Sequence, residues 1–172
     1  MRYNRLYKDN NFLTPTTYTQ ELSEYAVGLK YEDIPPEVVE RAKMIMLQTV
    51  GAALAAKGTP IHDKIMKMAH EANGGSGGGT TVWGSGEKMA AVNAALALGT
   101  TADALDWEDC SWTGHPSAGI IPCAWLAAEE RHRSGKDLIT AIVAGYEVYQ
   151  RIAMAVQPSD ERWKKKGWGL TS

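Results

Sequence analysis

Pro35-Pro36-Glu37-Val38-Val39-Glu40-Arg41-Ala42-Lys43-Met44-Ile45-Met46-Leu47-Gln48-Thr49-Val50-Gly51-Ala52-Ala53-Leu54-Ala55-Ala56 is the stretch that decides the fold class. Proline suits the first turn of a helix, where its missing N–H costs nothing. From there Val38, Val39, Ala42, Ile45, Met46, Thr49, Val50 and Ala53 return every three or four residues, the period of a helix with one apolar face. The last eight residues, Thr49 to Ala56, are small on every side, which predicts a buried helix that neighbours approach closely.

The same period extends outward in both directions. Residues 1–16 are polar and Asn-rich and read as a loose arm that orders only against a partner surface. From Thr17, with Gln20 three residues on as a capping box, Leu22, Tyr25, Ala26 and Leu29 give a first helix. A third helix is predicted over about 61–73, ending in a Gly/Ser run. That run has neither a G-x-G-x-x-G register after a strand nor a Lys-Ser/Thr ending, so it reads as a connector, not a phosphate cradle. Thr80-Thr81-Val82-Trp83 is the one strand-like snippet. Helices four, five and six follow over about 87–104, 117–134 and 136–156, the last carrying Leu138, Ile139, Ile142, Val143, Tyr146 and Tyr149. The expectation is an all-α, bundle-like domain of about six helices over residues 17–172, after the arm at 1–16.

Composition narrows the function. In 172 residues, 18 Lys and Arg face 20 Asp and Glu, a net charge of −2. No clustered positive excess is present to grip a nucleic-acid backbone. The hydrophobic share of 44% with 22% charged residues is that of a folded chain. No run of 18 apolar residues would span a bilayer, so no membrane partner is expected, and the N-terminus lacks the apolar core of a secretory signal. Cys110 and Cys123 do not make a disulfide framework, which points to a reducing, cytoplasmic setting.

Titratable groups concentrate in one place, the stretch Asp103-Ala104-Leu105-Asp106-Trp107-Glu108-Asp109-Cys110-Ser111-Trp112-Thr113-Gly114-His115-Pro116-Ser117. Indoles at Trp107 and Trp112 would desolvate these groups, pushing carboxylate pKa values up and an imidazole's down, as general acids and bases require. Ser117, or the His115 backbone, is placed to cap the next helix, whose free N–H groups would suit a substrate carboxylate. Plainer readings stand beside these. Asp106 and Asp109 also suit the capping or solvation of the fourth helix, and His115 suits a structural imidazole. Cys110, Cys123, His115 and Asp109 lack the spacings of a zinc site, so no metal is expected. Cys110 as a nucleophile would need a positioned base. Cys123, in Ile120-Ile121-Pro122-Cys123-Ala124-Trp125-Leu126, reads as core, and His62, His70, His132 and Lys164-Lys165-Lys166 as surface.

Taken in order, Ala94-Ala95-Leu96-Ala97-Leu98-Gly99, Ala104-Leu105-Asp106-Trp107-Glu108-Asp109 and Gly114-His115-Pro116-Ser117-Ala118-Gly119 resemble the signature of the MmgE/PrpD family, in which an Asp-Phe-Asp-Asp turn is closely followed by His-Pro-Ser. Tyr31-Glu32-Asp33-Ile34-Pro35-Pro36, Val82-Trp83-Gly84 and Gly145-Tyr146-Glu147-Val148 are similar to the family too. The resemblance implies the N-terminal part of a large helical domain that normally carries a smaller lid domain, in enzymes that are usually homodimers. Members include 2-methylcitrate dehydratase, cis-aconitate decarboxylase and iminodisuccinate epimerase, which use no cofactor and move protons next to carboxylates. By position it implies that His115 and Asp106 are catalytic and that Cys110 falls where a substrate-contacting Thr is common. Asp109, Cys110, Thr113 and Ser117 are then the expected substrate-binding residues. The pattern is broken at Asp103 and Gly169, where His is common, at Leu98, where Asn is common, and at Gln48, where Asp is common. The expectation is a cofactor-independent lyase or epimerase acting on a small di- or tricarboxylate, completed by a second polypeptide in a homo- or hetero-oligomer. The competing expectation is a catalytically silent helical subunit for assembly or regulation.

Overall fold

A computed structural model of the protein describes residues 17–75, 77–111 and 114–156. The expected arm at 1–16, Trp112, Thr113, the Lys164–Lys166 run and Gly169 lie outside the described residues.

Six α-helices make up most of the described chain: α1 Tyr18–Gly28, α2 Pro36–Ala55, α3 Pro60–Asn73, α4 Ala91–Asp103, α5 Pro116–Glu130 and α6 Gly135–Val156. The fold is all-α, as the periodicity predicts. Local chemistry sets the boundaries. Thr17 caps α1 by accepting from the Gln20 amide at 3.2 Å, but Gln20 does not complete the box and donates instead to Glu24 at 2.8 Å. Proline occupies the first turn of α2, α3 and α5. Gly74, with φ 61°, closes α3 in the left-handed conformation that glycine adopts without penalty.

Helix α4 starts later than its alanine content suggests. Lys88–Met89 (β2) pair antiparallel with Thr80–Thr81 (β1) in a short hairpin, which takes those residues out of the helix. Met89 and Val82 then bury beneath α3 and α4 with Ala69, Ala94, Ala97, Leu98 and Leu126. A second apolar cluster joins α2, α5 and α6 through Val39, Ala42, Ile121, Ile139 and Ile142. Trp83 touches both clusters and stands edge-on to Trp125, centroids 5.5 Å apart, so the indole bridges the halves of the core.

Small residues let helices close together where the site forms. Pro122 lacks the N–H that would reach the Ala118 carbonyl one turn back. That carbonyl faces Gly99 of α4, where a β-carbon would come within 2.8 Å of it. The small-residue end of α2 is buried on one side only, contrary to expectation. Thr49, Ala52, Ala53 and Ala56 face the core, whereas Gly51 meets open space and Leu47 is 76% exposed. Among the described residues no helix is long and apolar enough to cross a membrane.

Candidate active site

The connection from α4 to α5 turns back on itself twice. At the end of α4 the Asp106 amide donates to the Asp103 carbonyl at 3.1 Å, and Asp106 adopts φ 55°. Aspartate tolerates this left-handed conformation better than most residues, because its short side chain suits local hydrogen bonds. The turn is tied to α2 by Gln48, whose amide donates to the Trp107 carbonyl at 2.9 Å. Ser111 and Gly114 then exchange backbone hydrogen bonds, 2.8 and 3.2 Å, and deliver His115 to the start of α5.

Here the His115 ring lies between two carboxylates. Its Nδ1 is 2.6 Å from Glu108 Oε1, and its Nε2 is 3.5 Å from Asp106 Oδ1. The two carboxylates differ in surroundings, since the Glu108 side chain is fully buried and that of Asp106 is 82% exposed. Burial raises the Glu108 pKa above the ordinary carboxylate range and the neighbouring Asp103 raises it further, against a backbone N–H and His115, which pull it down. Trp107 is not the desolvating wall expected of it, because its indole is 65% exposed.

Asp109 points the other way. One of its oxygens accepts from the Ser117 amide at 3.0 Å and the other from the Tyr146 hydroxyl of α6 at 2.9 Å. An N–H at the start of α5 is thus occupied by a carboxylate of the protein itself, which stabilises the helix through both a hydrogen bond and the helix dipole. Burial, then the Asp109 charge, lifts the Tyr146 hydroxyl well above its usual range, so Tyr146 stays a neutral donor. The Ser117 side chain is wholly buried.

An open groove of about 1120 Å³ runs between α4, α5 and α6 from this cluster. Ala95, Gly99, Ala118 and Gly145 keep its walls low, and Asp103, Asp106, His115 and Tyr149 make it polar at one end. Cys123 lines it and is exposed, so this cysteine is not the core residue its apolar neighbours suggest: it occupies the outward face of α5.

Of the candidate residues, the fold brings His115 and Asp106 together and joins Asp109 to Ser117. Cys110 is exposed on the same loop, its thiol donating to the Ser111 carbonyl at 3.4 Å. Glu108 is the residue that sequence reasoning passed over. Its signal was its place between Asp106 and Asp109, where only a fold shows which carboxylate turns inward. Among the described residues Asp103, Glu108 and His115 bring donor atoms within 4.8 Å of one another. The 2.6 Å contact of Glu108 with His115 is shorter than the roughly 3 Å that separates two donors each about 2.0–2.2 Å from one ion, so this pair is closed on itself.

Residues 20–170 match the MmgE/PrpD N-terminal domain. The chain belongs to the MmgE/PrpD family. Cis-aconitate decarboxylase of Aspergillus terreus is 29% identical over 151 residues, 83% of this chain and 30% of that protein. The mouse protein of the same name is 26% identical over 141 residues, covering 78% of this chain and 28% of its own. The human one is 26% identical over 154 residues, 86% and 31%. The chain therefore spans about 30% of the length of these curated relatives. Gln48 anchors the loop, Leu98 is buried in the core, and Asp103 stands beside Glu108.

Proposed function

We propose that this chain is the part of a cofactor-independent lyase or epimerase that carries an acid/base group for proton transfer on a small di- or tricarboxylate. The observation that carries this reading is the His115 ring set between the Glu108 and Asp106 carboxylates at the polar end of a groove. In the proposed step His115 takes a proton from the carbon next to a substrate carboxylate. The C–H electron pair moves into that carboxylate as an enediolate, which then expels a leaving group or is reprotonated. Asp106, opposite Nε2, orients the ring or the substrate and stabilises the imidazolium that forms. Cys110 and Thr113 are assigned to contact the substrate, while Asp109 and Ser117 brace the start of α5 beneath it.

An enediolate needs cations or N–H donors around it. Among the described residues those lining the groove include no Lys or Arg, and the Ser117 amide is already engaged by Asp109. We assign the anion-stabilising groups to a second chain in a homo- or hetero-oligomer. The exposed outer face of α2, with Met44 and Leu47, suits such a chain and equally suits the second reading, a catalytically silent assembly subunit.

The test is to purify the chain at native expression level, identify any polypeptide that travels with it by mass spectrometry, and follow deuterium exchange into di- and tricarboxylates. A companion chain and exchange above buffer are expected, with exchange abolished in a folded His115→Ala variant. A solitary chain whose exchange equals buffer, or a His115→Ala complex with undiminished exchange, would sink the acid/base reading.

A further inference from the structure

We propose that Glu108 is a positioning residue that fixes the tautomer of His115, holding the ring proton on Nδ1 and leaving Nε2 as the proton-accepting atom toward Asp106 and the groove. This rests on His115 being the acid/base group and gives Glu108 a role that the reading leaves open.

The argument starts from cost. A buried carboxylate and a buried ring nitrogen are each expensive to leave unanswered. Among the described residues neither oxygen of Glu108 nor Nδ1 of His115 has an aligned hydrogen-bond partner, and the two face each other at 2.6 Å, with Asp103 acting on the same carboxyl. The contact is bent away from a linear hydrogen bond, and it is the shorter of the two carboxylate contacts of the ring. On the other side of the ring the Nε2 contact with Asp106 is 3.5 Å and wet, since Asp106 is 82% exposed. With Glu108 ionised, a short contact away from water outweighs a long one in water, so the proton sits on Nδ1. Asp103 faces Glu108 from the end of α4, and Tyr149 lines the groove with His115 from α6. Neither competes for Nδ1. Glu108 and Asp109, adjacent in sequence, thus divide the work: the first holds the ring, the second the helix that carries it.

Which nitrogen carries the proton is read directly by long-range proton–nitrogen correlation NMR on the labelled chain at neutral pH, with His115 assigned by the signal lost in His115→Ala. The wild-type ring is expected in the Nδ1–H form. Wild-type His115 in the Nε2–H form overturns the proposal, whether or not any variant folds. In Glu108→Gln the side-chain amide can donate to a bare Nδ1, so the tautomer ratio should invert, whereas Asp106→Asn should leave Nδ1–H in place. An unchanged ratio in folded Glu108→Gln also overturns it. In the active complex Glu108→Gln should lower kcat by about 10²–10⁴-fold with KM little changed. If the ring is Nδ1–H but turnover ignores His115→Ala, the proposed function fails and the tautomer assignment stands. If the ring is Nε2–H and turnover needs His115, the reverse holds.

Discussion

Helix α5 has a glutamate near each end, and the two have opposite fates. Glu129, in its last turn, accepts from the Thr81 amide at 2.9 Å, from the Thr81 hydroxyl and from Lys88 at 2.9 Å. Burial alone would raise its pKa, but these donors overcome burial and hold it down at about 2. Glu108, just before the helix, faces one imidazole and a second carboxyl, and burial raises it. The residue type is the same, and depth of burial and the supply of donors together decide. Where donors are plentiful a buried carboxylate becomes a fixed anion that staples the hairpin to α5. Where they are scarce it stays protonatable and leans on a histidine, which is the condition acid/base chemistry uses.

The sharpest way to break this contrast is to neutralise each glutamate in turn. Glu108→Gln is expected to cost about 10²–10⁴-fold in turnover of the active complex. Glu129→Gln should leave turnover unchanged and lower unfolding stability by about 1–2 kcal/mol, the scale of a hydrogen bond to a charged group. Steady-state kinetics and urea unfolding on both variants separate the roles, and a turnover loss in Glu129→Gln would erase the distinction.

Gly99→Ala tests the scaffold under the first glutamate. Its β-carbon would sit 2.8 Å from the Ala118 carbonyl, which is backbone and cannot swing aside. Helices α4 and α5 must separate, at a cost of roughly 1–3 kcal/mol, carrying Asp103 away from His115. Gly145→Ala is the control. There the clash is with the Cγ2 methyl of the Ile120 side chain at 2.9 Å, not with backbone, so a smaller loss in urea midpoint is expected.

How far this contrast could be read in advance differs between the two ends of α5. Periodicity gave all six helices, because each buries one apolar face and that face is written every three or four residues. It missed β2, since Lys88–Met89 is two residues long and pairs only because Thr80–Thr81 lies opposite. The Asp103–Ser117 run was visible as a site from its density of titratable groups. Its interior division was not. Asp106, Glu108 and Asp109 look alike on paper, and the left-handed turn at Asp106 decides which carboxylate reaches which atom. Glu129 gave no signal at all, because its donors come from residues 48 and 41 positions away.

Acidification should resolve the two glutamates by sign. Glu129, depressed to about 2, contributes stability that is present above its unfolded value near 4.3 and is lost as pH falls from there toward 2. With its side chain 27% exposed, solvent screening leaves on the order of 1–2 kcal/mol. Glu108, raised in the fold, does the opposite: the folded state gains on its account as pH falls from neutral toward that same unfolded value. Urea midpoints against pH should therefore lose their low-pH fall in Glu129→Gln, and lose their gain on first acidification in Glu108→Gln. A Glu129→Gln profile that still collapses between 4.3 and 2 would assign the acid lability elsewhere.

The smallest expected effect is the most exacting for the donor argument. Lys88 is 51% exposed at its side chain, so its ion pair with Glu129 is worth roughly 0.2–1 kcal/mol and should fade with salt. The Thr81 hydroxyl is half-buried against the same carboxylate and does not depend on ionic strength. Lys88→Met should therefore cost less than Thr81→Val, which forfeits a hydrogen bond of about 1 kcal/mol or somewhat more to a charged acceptor. If Lys88→Met costs more, charge and not donor supply separates the two glutamates.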